Sequence, residues 1–186
     1  VVVSVSDEGN SGEGGALSDS QTIPINVTSV NDAPEWTVPL TAVTAHEDSA
    51  TAIVGVTLID VDAGDSTMEV LVEVAHVFVS LMQTISVVQF LEGSGVYDSR
   101  IVMQGKLSDL NSALRAITFQ PAKDWNMNSK SDATVTLTAD DFGATGVGGS
   151  KSTTTVLRVL RVTSVNDAPV VIVPGATLRQ QPCEND

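Results

Sequence analysis

The chain has 186 residues, with 23 acidic against 9 basic side chains and a formal net charge of −14 at pH 7. That balance excludes nucleic acid and disfavours anionic membrane surface as partners, since both need a basic patch, while it permits cation binding. No run approaches the ~20 apolar residues that cross a bilayer, so no direct membrane insertion is expected, and the wealth of Val and Thr predicts an all-β class.

In chain order, residues 1–6 and 20–30 read as two strands around a Gly/Ser/Glu hairpin loop. On the second strand Ile23, Ile25 and Val27 are expected inward and Asn26 outward, which leaves the sequon Asn26-Val27-Thr28 open to N-glycosylation. Residues 35–45 read as a first strand interrupted by Pro39. Ala52, Val54, Val56 and Leu58 alternate with Ile53, Gly55 and Thr57 as in a half-buried strand, ending in the turn Asp60-Val61-Asp62-Ala63-Gly64-Asp65. Residues 68–81 read as one strand with Val70, Val72 and Val74 opposite Glu69, Leu71 and Glu73. An apolar strand at 85–91, a turn at Glu92-Gly93-Ser94-Gly95 and a short strand at 100–104 follow. The spacing then predicts a helix over 108–117, with Ser108 as N-cap, Asp109 in the first turn, and Leu107, Leu110, Leu114 and Ile117 on one face. Strands at 118–120, 134–139 and 153–163 complete a Greek-key, two-sheet β-sandwich.

The chain also repeats itself. Val27-Thr28-Ser29-Val30-Asn31-Asp32-Ala33-Pro34 returns letter for letter at Val162-Thr163-Ser164-Val165-Asn166-Asp167-Ala168-Pro169. Each copy reads as a strand running into a linker that Ala-Pro holds extended. The stretch from Asp7-Glu8-Gly9 to Gly15 matches that from Asp141-Phe142-Gly143 to Gly149, and Glu184-Asn185-Asp186 resembles Glu47-Asp48-Ser49. The chain is therefore expected to hold the tail of one repeat and a linker at 1–34, a whole repeat and linker at 35–169, and the first strand of a third repeat at 170–186, as part of a longer tandem array.

The acidic residues gather at predicted strand ends: Asn31-Asp32 in the linker, Glu47-Asp48 after the first strand, Asp60, Asp62 and Asp65 in a turn, and Asp140-Asp141 before Phe142-Gly143. Asp and Asn favour turns, so any one of them alone is turn chemistry. The recurrence of Asn-Asp at both linkers points the set towards Ca2+, which takes hard oxygen ligands and relieves carboxylate repulsion.

The ordered set of these motifs resembles the cadherin-like tandem repeats of large extracellular proteins. The closer match is the long form found in surface adhesins and chondroitin-sulfate-proteoglycan-type arrays. Ser29-Val30-Asn31-Asp32-Ala33-Pro34 is similar to that family's linker, Glu47 to its early Glu, Asp60 and Asp62 to its D-x-D, and Asp141-Phe142-Gly143 to its D-x-G. The linker's leading Asp is Ser29 here and Ser164 in the second copy, and Gln120-Pro121 stands where the family has an acidic triplet. These departures imply fewer ions per junction and weaker binding. The resemblance implies a cadherin/Ig-like sandwich whose upper pole binds Ca2+ through Asn31, Asp32, Asp60, Asp62, Asp65 and Asp141, and whose lower pole does so through Glu47, Asn166 and Asp167.

Enzymatic activity is not expected. The turn at 60–65 starts like an EF-hand loop, but Leu71 would be its last ligand, and the Gly-rich stretch at 146–152 lacks a P-loop's second Gly and following helix. Only His46 and His76 could serve a triad, with nothing to assemble it, and His76 reads as an ordinary strand histidine. Cys183, the one cysteine, is either free or paired outside this sequence. The expected function is a calcium-stiffened structural or adhesive repeat of an extracellular or cell-surface filament protein. Its partners are then neighbouring repeats of the same chain and other copies in a filament. A glycan- or protein-binding module, with Trp36, Tyr97 or Trp125 as platform, and an inert spacer beside a catalytic domain are the alternatives.

Overall fold

The computed structural model describes residues 1–10, 12–41, 43–81, 87–115, 117–123, 125, 133–143, 145–158 and 161–169. The expected third-repeat strand with Cys183 and Glu184-Asn185-Asp186 lies outside the described residues, as do the start of the 85–91 strand and Ala116.

The chain is all-β with one short helix. β1 (Val2–Ser6) and β2 (Ser18–Thr22) form an antiparallel hairpin. A five-stranded antiparallel sheet has the order β13 (Ser152–Arg158), β12 (Thr134–Asp140), β7 (Thr67–Ala75), β10 (Arg100–Lys106), β9 (Gln89–Glu92). Facing it are β5 (Thr51–Ile53), β11 (Ile117–Pro121) and β8 (Val77–Leu81) in one sheet, with β3 (Glu35–Thr37) paired to β6 (Thr57–Ile59) beside them. β4 (Thr44–His46) runs parallel to β14 (Arg161–Thr163). The inner faces share one core, with Met68, Val70, Val72, Ile101, Met103, Val135 and Leu137 from the first sheet and Ile53, Val79, Ile117 and Phe119 from the second.

Three strands read as continuous are divided: the one expected over 153–163 supplies β13 and β14, which lie in different sheets, and in the other two the alternation changes phase at the break. Val70 and Val72 are buried as expected, but His76 adopts φ +65° and the chain crosses there to the other sheet, where Val77, Val79 and Leu81 face inward. His76 is thus a corner residue and not a strand histidine; its ring stacks on Trp125 at 5.2 Å. At Gly55, φ +86°, a similar break separates β5 from β6, so Ile53, Val56 and Leu58 are buried while Val54 is exposed. Only glycine takes that backbone at little cost.

α1 (Leu107–Leu114) begins one residue earlier than expected and is shorter. Lys106 is its N-cap, without a side-chain cap bond, so Ser108 does not cap it. Leu110, Ala113 and Leu114 form the buried face, and Ile117 is already in β11, buried in the core. The helix carries the chain from one sheet to the other. Its Asn111 takes the place of a strand neighbour for β6: Oδ1 accepts from Leu58 N and Nδ2 donates to Leu58 O, both at 2.8 Å. Among the described residues no helix is long and apolar enough to cross a membrane.

The second half of the expected strand over 20–30 does not form. Ile23, Ile25 and Val27 are exposed, and the β1–β2 ladder runs only to Thr22. Asn26 is also exposed, so the sequon remains accessible.

Candidate functional site: the linker joint

The site begins with a staple at the base of the β12–β13 hairpin. Asp141 N donates to Lys151 O at 3.1 Å, and Asp141 Oδ1 accepts from the amides of Gly143 and Lys151, both at 2.7 Å. Phe142 and Gly143 turn left-handed, at φ +56° and +68°, to bring the Gly143 amide round. A Cβ at Gly143 would stand 2.6 Å from Gly149 C, so the motif needs glycine there.

The first hairpin has the same staple. Asp7 N donates to Leu17 O at 3.0 Å, and Asp7 Oδ1 accepts from Gly9 N at 2.9 Å and Leu17 N at 2.8 Å. The strand registers correspond as well: Val2 pairs with Thr22 as Thr136 does with Val156, and Ser6 with Ser18 as Asp140 with Ser152. The repeat in the letters is therefore a repeat in the hydrogen bonds, and the Asp of D-x-G is first a structural group.

The free oxygen of that staple receives Asn31, from the segment expected to be a linker. Asn31 is 1% exposed although it belongs to no named strand. Its Nδ2 donates to Asp141 Oδ2 at 2.7 Å and to Gly149 O at 3.0 Å. Its backbone N donates to Val147 O at 3.0 Å, and Val147 N donates to Ser29 O at 2.9 Å. The linker thus lies on the hairpin loop as a short parallel bridge. Lys151 Nζ donates to Asn31 O. Burial pushes the Asp141 carboxyl up, but the Lys151 and Gly143 amides, the Asn31 amide and the Lys151 charge outweigh it and hold the pKa below its ordinary 3.8.

One residue on, Asp32 N donates to Asp62 Oδ2 at 2.7 Å, and Thr145 Oγ1 donates to Asp62 O at 2.5 Å. The turn that presents Asp62 is closed by Asp60, whose Oδ1 accepts from Asp62 N and Ala63 N at 2.8 Å each. Asp60 Oδ2 is buried with no hydrogen-bond partner. Beside it lies an open cleft of about 490 Å3 lined by Asp32, Pro34, Glu35, Asp60, Val61 and Thr153 among others.

At the other pole Glu47, 3% exposed, accepts from Val165 N through Oε1 at 2.6 Å, and its own N donates to Thr163 O at 3.0 Å. Glu47 therefore holds the segment from Thr163 to Val165 by its backbone. Asn166 and Asp167, the next residues, are exposed. Asp65 is drawn away from the other carboxylates and pairs with Lys106 at 2.8 Å on the surface. That pairing lowers the Asp65 pKa and raises that of Lys106, but so exposed a pair contributes little.

The structure thus brings together Asn31 with Asp141, and Asp32 with Asp62 and Asp60, in two adjoining clusters. Among the described residues, no group of three or more His, Cys, Asp or Glu converges to hold a metal. Both Asp141 oxygens and one oxygen each of Asp60 and Asp62 already accept from N–H donors. Asp60 lines the outer cleft, and its buried second oxygen, which has no hydrogen-bond partner, is of the hard-oxygen type that Ca2+ takes. Sequence reasoning missed Lys151, Val147 and Thr145. Their only signal was the Gly-rich run 146–149, which lets the loop come close: a Cβ on Gly146 would stand 2.7 Å from Asn31 N. No family model and no curated protein sequence matches this chain.

Proposed function

We propose that the chain is a structural and adhesive module of a long extracellular or cell-surface protein, built like the cadherin-like repeats it resembles, with joints stiffened by Ca2+. The observation that carries this reading is the buried linker. Asn31 sits 1% exposed in a groove of the following sandwich and holds the preceding hairpin's chain to its pole. A spacer that merely separated domains would have no use for such a contact.

Asp32, Glu35 and Asp60 line the outer cleft without converging as a set of three, so a Ca2+ ion there would be held by one or two of these carboxylates with water, and it would neutralise their negative charge. A ligand-binding platform finds less support. Trp36 packs against the core, Tyr97 stacks on Phe78 at 4.2 Å and Trp125 on His76 at 5.2 Å, so each aromatic already has a partner.

The test is thermal unfolding of the chain in EDTA and in about 5 mM Ca2+, well above the ~0.1–1 mM Kd of extracellular modules, with ~1–2 kcal/mol gained per site. Asp60→Asn should remove most of the gain. An unchanged Tm in the wild-type protein would overturn the calcium reading.

A further inference from the structure

We propose that the ammonium of Lys151 is a tethered cation that closes the inner part of the linker joint, so that this joint docks without a metal ion. The inference rests on reading residues 31–34 as an interdomain linker, and it divides the pole into an outer cleft open to Ca2+ and an inner lock that is already complete.

Both Asp141 carboxylate oxygens and the Gly149 and Asn31 carbonyls, which an inner metal ion would draw on, accept from N–H donors. Asp141 Oδ1 accepts from the amides of Gly143 and Lys151, and Oδ2 from Asn31 Nδ2. Gly149 O also accepts from Asn31 Nδ2, and Asn31 O accepts from Lys151 Nζ. A calcium ion takes six to eight oxygen ligands and would have to compete with these donors for them. The lysine supplies positive charge instead, at a pole where Asp32, Asp60, Asp62, Asp140 and Asp141 are all acidic. It is well placed to do so. Its backbone is pinned on both sides by Asp141, and its chain runs past Gly148, where a Cβ would be 4.0 Å from both Lys151 Cε and Asn31 O.

The first hairpin separates this role from hairpin folding. Leu17 occupies the place of Lys151 there, and the same staple and the same register form around it. The lysine is therefore not needed to build the hairpin. It distinguishes this joint from one made by a hairpin of the first kind. The expected consequence is a chain in which some joints hold after calcium is removed and others do not.

The experiment is amide hydrogen exchange by NMR on the whole chain in EDTA. The amides of Asn31 and Val147, which bridge linker and loop, report docking; the Asp141 amide reports the hairpin. In the wild-type protein the docking amides should be protected without calcium. Lys151→Leu, which copies the first hairpin, should cut that protection about tenfold, as expected for loss of a hydrogen bond to a charged group. Asp141 protection should not change, and Lys151→Arg, which keeps the charge, should retain most of the docking. Lys151→Gln serves as a second neutral variant should the leucine disturb the loop. Wild-type protection that appears only on adding Ca2+ would overturn the proposal, as would full protection in both neutral variants. Docking amides unprotected in EDTA and in Ca2+ alike would instead refute the linker reading itself.

Discussion

Asn31→Ala isolates the joint from the sandwich. The substitution removes two hydrogen bonds from one side-chain nitrogen, at 2.7 Å to Asp141 Oδ2 and at 3.0 Å to Gly149 O. The first goes to a carboxylate that is 2% exposed, and a bond to a charged group contributes ~1.5–3 kcal/mol; the second is a neutral bond of ~0.5–1.5 kcal/mol. Docking should therefore weaken by about 2–4 kcal/mol, or roughly 30- to 1,000-fold in the protection of the Val147 amide, up to the limit set by the docking free energy itself. The sandwich should keep its stability to within ~0.5 kcal/mol, because Asn31 contributes nothing to the apolar core and an undocked linker lets water reach Asp141. Urea unfolding gives the global term and hydrogen exchange the local one. If urea unfolding shows the whole cost, the linker folds as part of the sandwich and is no joint. If neither measurement moves, the two bonds are idle.

Gly146→Ala should undock the linker as thoroughly, since its Cβ would stand 2.7 Å from Asn31 N and 2.8 Å from Val30 C on a backbone at φ +94°. Small-angle scattering should then show a larger spread of dimensions at unchanged urea stability, and an unchanged profile would contradict the close approach. Leu114→Ala, at a fully buried position of α1, should cost ~2–5 kcal/mol in urea unfolding; a cost below ~0.5 kcal/mol would mean that the helix is not part of the core. Acid should open the joint. Asp141 has a folded pKa below its ordinary 3.8, so its stabilisation is fully present above that value and is lost as pH falls through the depressed one. The side-chain amide signals of Asn31 should hold their positions through neutral pH and move only below about pH 4. Movement near pH 6 would assign the transition to a histidine instead.

The internal repeat, the all-β class, the existence of the helix and the inward face of β7 were legible in the sequence. Each is encoded within a window of a few residues: eight identical letters, valines at alternate positions, leucines at helical spacing. The Asp-x-Gly motif was legible too, although its first role, closing a hairpin base, is the same at Asp7 and Asp141 and belongs to local backbone geometry. What the tertiary structure decided is where the alternation changes phase and what the acidic residues touch. Periodicity carries no mark of the left-handed turns at His76 and Gly55 that send the chain between sheets or split a strand. Composition gathered the carboxylates into one class, but their partners separate them. Asp65 goes to Lys106, Asp62 to a linker amide and Asp141 to Asn31, 110 residues away in the chain. Lys151 reaches the carbonyl of Asn31 across 120 positions. Such contacts exist only once the sandwich has brought its hairpin loop over the incoming linker, because a hydrogen bond depends on proximity in space and local sequence signals only proximity along the chain.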